Sequence, residues 1–257
     1  MAFFDSHCHL VFDPENHSPQ EQLERARGMN VGMMLCVAVD LESAIACRLL
    51  AEQEPDVLAS VGIHPNDCGP EDNLSERLEA LKNLARTGGW AAIGETGMDF
   101  YRDNTPPDIQ EKSFQSHLDL AEELALPIII HCRHAASKVL DILRNQNRTV
   151  QGVMHCWSED PKFVKPILDI GLHFSFAGNL TYPKADLIKE SASLIPSERL
   201  LIETDAPFLA PQPVRGQKNE PAHIHHTLEA IAEIRGETRE ALEQSTWKAA
   251  ESLFSAG

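Results

Sequence analysis

The sequence predicts a parallel α/β fold, a single (β/α)8 TIM barrel with a C-terminal helix, as one domain over residues 1–257. Three observations carry that prediction. The chain has 257 residues, close to the roughly 250 that such a barrel takes. Eight short apolar runs alternate with amphipathic stretches, the pattern of repeated βαβ units. Five of those runs end in His, Glu or Asp. The first two observations suit a doubly wound open sheet equally well. The third favours the barrel, whose strands all deliver their C-terminal ends to one mouth.

Taken in order, the strand candidates are Phe3–Asp5, Met33–Val39, Val57–Val61, Trp90–Gly94, Pro127–His131, Gly152–His155, Leu172–Phe176 and Leu200–Glu203. Most are near-continuous hydrophobic runs, as parallel strands covered on both faces require. Helical spacing appears between them. Phe114, Leu118, Ala121 and Leu124 recur before Pro127, Ile224, Leu228 and Ile231 lie near the end, and Leu242, Ala249 and Leu253 mark a terminal helix. Asp40, Asn73 and Ser197 stand at cap or turn positions. The longest irregular stretches, Pro65–Asn73 and Pro207–Pro221, are rich in Pro, Gly, Asn and Asp.

Composition narrows the class. Hydrophobic residues make up 42% and charged residues 24%, which excludes disorder, collagen-like repeats and a coiled coil. No apolar run approaches the roughly 20 residues that span a bilayer, and the start carries no secretory pattern. The six cysteines (8, 36, 47, 68, 132 and 156) form no C-x-x-C pair, so they read as reduced cytosolic thiols. A cytoplasmic protein with no membrane and no obligate protein partner is expected. The net charge is −17. Residues 1–98 hold 6 basic against 16 acidic side chains, and residues 99–257 hold 16 against 23. Neither half is basic, which argues against wrapping duplex nucleic acid by counterion release. A metal site can still supply local positive charge.

The strand ends carry the chemistry. His7 and His9 alternate around Cys8, so both imidazoles point one way from the first strand. Glu95, His131 and His155 each follow a buried run, and Glu203 and Asp205 follow the last. An ionisable group in such a place is costly unless paired. One case is a satisfied core residue, whereas five converging strand ends make a shared metal site. Four histidines with Glu95 and Asp205 exceed the three protein ligands of a catalytic zinc site. They suit two divalent ions about 3.5–4 Å apart with a bridging carboxylate. Imidazoles favour zinc, manganese or iron over magnesium; zinc, manganese and magnesium are all carried as candidates. Cys8, Cys132 and Cys156 neighbour these residues, and alternation turns them away as packing groups.

These blocks resemble a known family. Asp-Ser-His-Cys-His-Leu at 5–10, Gly-Ile-His-Pro at 62–65, Ile-Gly-Glu-Thr-Gly-Met-Asp-Phe at 93–100 and His-Cys-Arg-His-Ala at 131–135 are similar to the TatD-type metal-dependent deoxyribonucleases, in a YcfH-like branch. So are His-Cys-Trp-Ser at 155–158, Glu-Thr-Asp-Ala-Pro-Phe-Leu-Ala-Pro at 203–211, and Arg215 with Gly216, Asn219, Glu220 and Pro221. The resemblance implies an amidohydrolase-type barrel, a binuclear centre and hydrolysis of DNA phosphodiesters, with 3′–5′ exonuclease polarity. It implies one ion on His7, His9 and Asp205, a second on His131 and His155, and Glu95 bridging. Trp157 stands where the family more often has Phe, and Thr96-Gly97-Met98 replaces a commoner Ile/Cys-Gly-Leu. Neither departure touches a ligand type.

Around that centre, His64, Arg133 and Arg215 are expected to meet substrate phosphate, with Lys218 as a further cation. Glu203 is expected to orient a ligand histidine, and Asp205 and Glu95 to serve in catalysis. Trp157, Phe100 and Tyr101 are candidate rim aromatics for a terminal base. His117, His134, His173, His223, His225 and His226 read as structural. The expected substrate is single-stranded or frayed DNA ends, or a small phosphodiester. A different ester or amide, such as the ester of aminoacyl-tRNA, is the alternative on the same scaffold.

Overall fold

A computed structural model describes residues 2–254, apart from 14, 16, 70, 103, 147 and 148. All eight expected strands form: β1 (Phe3–Cys8), β2 (Val31–Cys36), β3 (Val57–Val61), β4 (Ala92–Asp99), β5 (Ile128–Arg133), β6 (Gly152–Met154), β7 (His173–Phe176) and β8 (Leu200–Ile202). They pair in parallel, each with the next in chain order. The ring closes just beyond β8, where the Asp205 amide donates to the His7 carbonyl at 2.9 Å and the His9 amide to the Ala206 carbonyl at 2.7 Å. Buried Asp5 reinforces that seam by accepting from the Thr204 hydroxyl at 2.6 Å and its amide at 2.9 Å. Burial pushes the Asp5 carboxyl up to about 8, against the restraint of those bonds.

The helices are α1 (Pro19–Gly28), α2 (Leu41–Gln53), α3 (Glu71–Ala85), α4 (Pro107–Leu124), α5 (Ala136–Arg144), α6 (Val164–Leu168), α7 (Asp186–Leu194), α8 (Ile224–Arg235) and α9 (Arg239–Phe254). Asp40 caps α2 as expected: the Ser43 amide donates to its Oδ1 at 2.8 Å, and its own amide donates to the Ser43 hydroxyl at 3.0 Å. Asn73 is not a cap. The helix begins two residues earlier, at Glu71, so Asn73 lies inside it. Ser197 opens a 3-10 turn, Ser197–Arg199, that feeds β8. No helix among the described residues is long and apolar enough to cross a membrane.

Two apolar layers divide the strands. Phe4, Leu35, Val37, Ala92, Ile129, Val153 and Leu201 fill the barrel and meet Ala249, Ala250, Leu253 and Phe254 of α9. The rings of Trp247 and Phe254 lie 5.8 and 6.1 Å from Phe4. The C-terminal helix therefore plugs the end of the barrel where the strands begin. Intervening residues such as Phe3, Met34, Cys36, Ile93, Ile130, Met154 and Ile202 belong to the layer shared with the surrounding helices. Burying each large apolar side chain stabilises by about 1.5–3 kcal/mol.

Strict alternation does not hold on two strands. Phe4 faces the interior, so simple alternation sends Ser6 and Cys8 inward and His7 outward. A register shift against β2 between Asp5 and Cys8 reverses this, and Cys8 joins the outer layer. On β4, Ala92 is interior and Ile93 outer, and a shift between Ile93 and Thr96 then turns Glu95 inward. Gly97 is required here: its φ is +131°, and a Cβ would lie 2.1 Å from the His131 carbonyl oxygen. All six cysteines are free.

His117 on α4 ties this layer to the end of β3. Its Nδ1–H donates to the Ser113 carbonyl at 2.7 Å, and its Nε2 accepts the Ile63 amide at 3.0 Å. Burial depresses its pKa to about 4, against about 6.5 in the unfolded chain. The unfolded state therefore binds the extra proton between those values. The stabilisation from neutral His117 is complete above about pH 6.5 and is lost as pH falls through 4, by up to roughly 3 kcal/mol. Urea midpoints measured from pH 7 to 4 should fall more steeply in the wild type than in His117→Gln, which keeps an acceptor but does not titrate. Equal slopes would refute this assignment.

Candidate metal centre

His7 and His9 come from the end of β1, Glu95 and Asp99 from β4, and His131 from β5. His64 follows β3, His155 follows β6, and Glu203 and Asp205 follow β8. All lie at the carboxyl ends of the strands, and most line one open cavity of about 920 Å³. His7, His9, Glu95, His155 and Glu203 are almost fully buried.

Two donor groups share Glu95. In the first, His7 Nε2 lies 3.2 Å from His9 Nε2, 3.4 Å from Glu95 Oε2 and 3.7 Å from Asp205 Oδ1. His9 Nε2 lies 3.7 Å from Glu95 Oε2 and 3.4 Å from Asp205 Oδ1. Four ligands around a tetrahedral ion at about 2.0–2.1 Å stand about 3.3–3.4 Å apart. The five separations bracket that edge, so the residues fit a divalent ion. In the second group, Glu95 Oε1 lies 2.8 Å from His131 Nδ1 and 2.7 Å from His155 Nε2, and those nitrogens are 3.3 Å apart. Each oxygen of Glu95 thus faces one group, which is the placement a bridging carboxylate needs.

The far side of most imidazoles is held. His9 Nδ1 bonds the Val37 carbonyl at 2.9 Å, leaving Nε2 for the cluster. His155 Nδ1 lies 3.3 Å from Glu203 Oε1, and Glu203 Oε2 accepts the Ser175 hydroxyl. His131 Nε2 lies 3.3 Å from Asp99 Oδ2. The His7 ring stacks on His155 at 4.0 Å, and its Nδ1 is buried without a partner. Such carboxylate or carbonyl partners fix tautomer and ring orientation at metal sites.

Charge is balanced internally. Burial opposes ionisation of Glu95, but His155, His64 and His131 hold its carboxyl well below the usual range. Burial depresses His9, yet Asp205 and Glu95 outweigh it and raise the imidazole to about 9. Burial likewise opposes the charge on His155, and Glu95 and Glu203 push it well above its ordinary value. Protonated imidazoles among ionised carboxylates are what a donor set adopts when its cation is exchanged for protons.

Asp99 is the residue that sequence reasoning missed. Its Oδ1 accepts the Tyr101 and Arg102 amides at 2.8 and 2.9 Å, and its Oδ2 accepts Asn66 Nδ2 at 2.9 Å. The signal was present: Glu95, Gly97 and Asp99 occupy alternate positions of one strand.

Of the other expected residues, His64 lies beside Glu95, with Nε2 3.5 Å from Oε1. Its Nδ1 accepts the Asn66 amide at 3.1 Å, so the neutral ring carries its proton on Nε2. Arg133 lines the cavity with its guanidinium 3.8 Å over the Tyr101 ring. Arg215 is not among the lining residues; it stacks 4.0 Å over Tyr182. Lys218 pairs with Asp13 at 2.6 Å. Trp157 is not a rim residue. It is 1% exposed, donates to the Ser191 hydroxyl at 3.2 Å and packs on Phe174. Phe100 and Tyr101 are exposed but do not line the cavity, whereas Phe12, Phe208, Arg102 and Asn104 do. Cys132 and Cys156 also reach the cavity lining. Cys156 does so because β6 stops at Met154 and the chain turns at φ +47°, which ends the alternation.

Comparisons with known proteins bear on the family and the fold. The model of the TatD-related DNase family matches residues 4–255. The chain is 36% identical to YcfH of Escherichia coli K12, named an uncharacterized metal-dependent hydrolase, with 96% of this chain and 93% of that one covered. It is 34% identical to the 3′-5′ ssDNA/RNA exonuclease TatD of Klebsiella pneumoniae, over 98% of this chain and 97% of the relative. The crystal structure of YJJV, a TatD homologue from E. coli K12, superposes with a TM-score of 0.90 at 27% identity. It covers 99% of this chain and 98% of that one.

Glu203→Gln preserves shape but removes the carboxylate that faces His155. Metal affinity measured by chelator competition should fall about 10- to 100-fold. Unchanged affinity would remove Glu203 from the support of the site.

Proposed function

Since the chain belongs to the TatD-related DNase family of metal-dependent hydrolases, we propose that it is a deoxyribonuclease that hydrolyses phosphodiesters at strand ends using two divalent ions. The observation that carries this reading is the pair of donor groups joined through the two oxygens of Glu95. His7, His9 and Asp205 would hold one ion, His131 and His155 the other. Zinc, manganese and magnesium are the candidate ions. When bound, such ions polarise a phosphoryl oxygen and lower the pKa of water towards about 7.

The chain's own residues supply the rest. Burial opposes ionisation of Asp205, but His9 and His7 hold its pKa below the ordinary value. Its carboxylate accepts the proton of the attacking water. His64 Nε2–H, with its tautomer set by the Asn66 amide, donates to a phosphoryl oxygen. Arg133, braced on Tyr101, meets a flanking phosphate. The named exonuclease activity of the Klebsiella relative supports both end-directed attack and 3′–5′ polarity.

A substrate panel tests the reaction class. It contains a single-stranded oligonucleotide, a dinucleotide, aminoacyl-tRNA and a dihydropyrimidine-type amide, each with Mn²⁺, Mg²⁺ and Zn²⁺. Turnover should be confined to the phosphodiesters; preference for the tRNA ester or the amide would replace the nuclease reading. Glu95→Ala and His155→Ala should lose metal and reduce kcat by at least about 100-fold. Full activity with unchanged metal in both would end the assignment.

Access to the site is tested separately. A covalently closed single-stranded circle should survive while the same sequence, linearised, is degraded. Equal rates would mean that internal phosphodiesters enter the cavity.

A further inference from the structure

Two exposed phenyl rings stand at the cavity with no role in the centre described above. Phe12 is 54% exposed and Phe208 is 44% exposed, and both line the cavity. Their centroids are 5.1 Å apart at 72°, and Phe208 lies 6.0 Å from the His9 ring. Water-exposed aromatic faces gain nothing from folding, so their shared position needs another reason.

The same local device places both. Phe12 follows His9 by three residues, and its amide donates to the His9 carbonyl at 3.1 Å. Phe208 follows Asp205 by three, and its amide donates to the Asp205 carbonyl at 2.8 Å. The backbone that carries each ring is thus held by a turn that starts at a candidate metal ligand. The second turn is braced further: buried Asn219 donates through Nδ2 to the Thr204 and Phe208 carbonyls, both at 2.8 Å. A rigid aromatic face loses little conformational freedom when a flat ring lands on it.

Strand order sets the rings against the cations. β1 and β8 are neighbours through the closing seam, and β4 and β5 lie across the ring of eight. The aromatic pair therefore occupies one wall, and Arg102 and Arg133 the opposite wall, with the donor groups between. That order is apolar face, metal-ligating groups, guanidinium. It matches base, scissile phosphate and next phosphate in a nucleotide strand.

We infer that Phe12 and Phe208 form a stacking platform for the nucleobase of the terminal nucleotide, independent of which base it is. The inference rests on the nuclease reading for its biological substrate, but base recognition can be measured without turnover. An aromatic face accepts every base, because each has a π surface.

The experiment measures binding to the metal-loaded protein by calorimetry. The probes are a deoxynucleoside 5′-monophosphate and deoxyribose 5-phosphate, which lacks only the base. The wild type should bind the nucleotide about 5- to 150-fold more tightly. Phe12→Ala and Phe208→Ala should each reduce that ratio and the double variant should bring it near one. Metal content and deoxyribose phosphate affinity should stay unchanged. Phe→Leu at each site controls for volume and should recover only part of the ratio. Equal binding of the two probes by the wild type, no detectable binding of either, or an unchanged ratio in the double variant would overturn the platform. A preserved ratio in a protein that cleaves no nucleic acid would support the platform and overturn the nuclease reading instead.

Discussion

The Glu95 carboxylate is the interaction on which the site depends. It is 3% exposed, and an isolated buried carboxylate is among the most costly groups a fold can hold. Here its two oxygens face separate imidazole groups, so its charge is compensated from both sides. The same arrangement makes the centre a unit. Removing Glu95 leaves histidines from the ends of four strands without their shared partner. Removing any one histidine leaves Glu95 less compensated. Stability at the mouth and capacity for a divalent ion therefore rest on the same contacts.

Stability elsewhere is kept apart from that constraint. Below the mouth, the barrel is filled by aliphatic side chains and Phe4, and α9 seals its end. This division explains why the fold was legible from pattern alone. Eight apolar runs mapped onto eight strands because both faces of each are covered. Their boundaries moved where local chemistry intervened. β4 runs on to Asp99 because Gly97 permits close approach to β5. β6 is cut to Gly152–Met154 because the backbone turns at Cys156.

The candidate site was legible as a set of residues but not as a geometry. Ionisable groups after apolar runs are visible in sequence, since an apolar run has no other use for them. Parity is not. Counting by two from Phe4 sends His7 to the wrong face, and only the register shift against β2 restores it. The aromatics show the opposite limit. Trp157 adjoins a candidate ligand in sequence, yet it is buried against Phe174. Phe208 lies three residues past Asp205, and its turn returns it to the cavity. Adjacency to a ligand does not give direction once the strand has ended.

Charge then limits how a polyanion can approach. The net charge is −17, and two divalent ions would reduce it only to about −13. Several cations are already held by carboxylates: Arg25 by Glu220, Arg27 by Glu54 and Asp56, and Lys218 by Asp13. Long-range attraction for a nucleic acid backbone is therefore weak, and few counterions are released over the general surface. Under the nuclease reading, affinity has to arise inside the cavity, from ions, two arginines and short-range contact. A strand end can enter such a cavity with little of its length beside the acidic exterior. A continuous duplex cannot, because the phosphates flanking the bound one remain against that exterior. Under that reading, the acidic composition, which argues against wrapping duplex nucleic acid, becomes the reason for preferring ends.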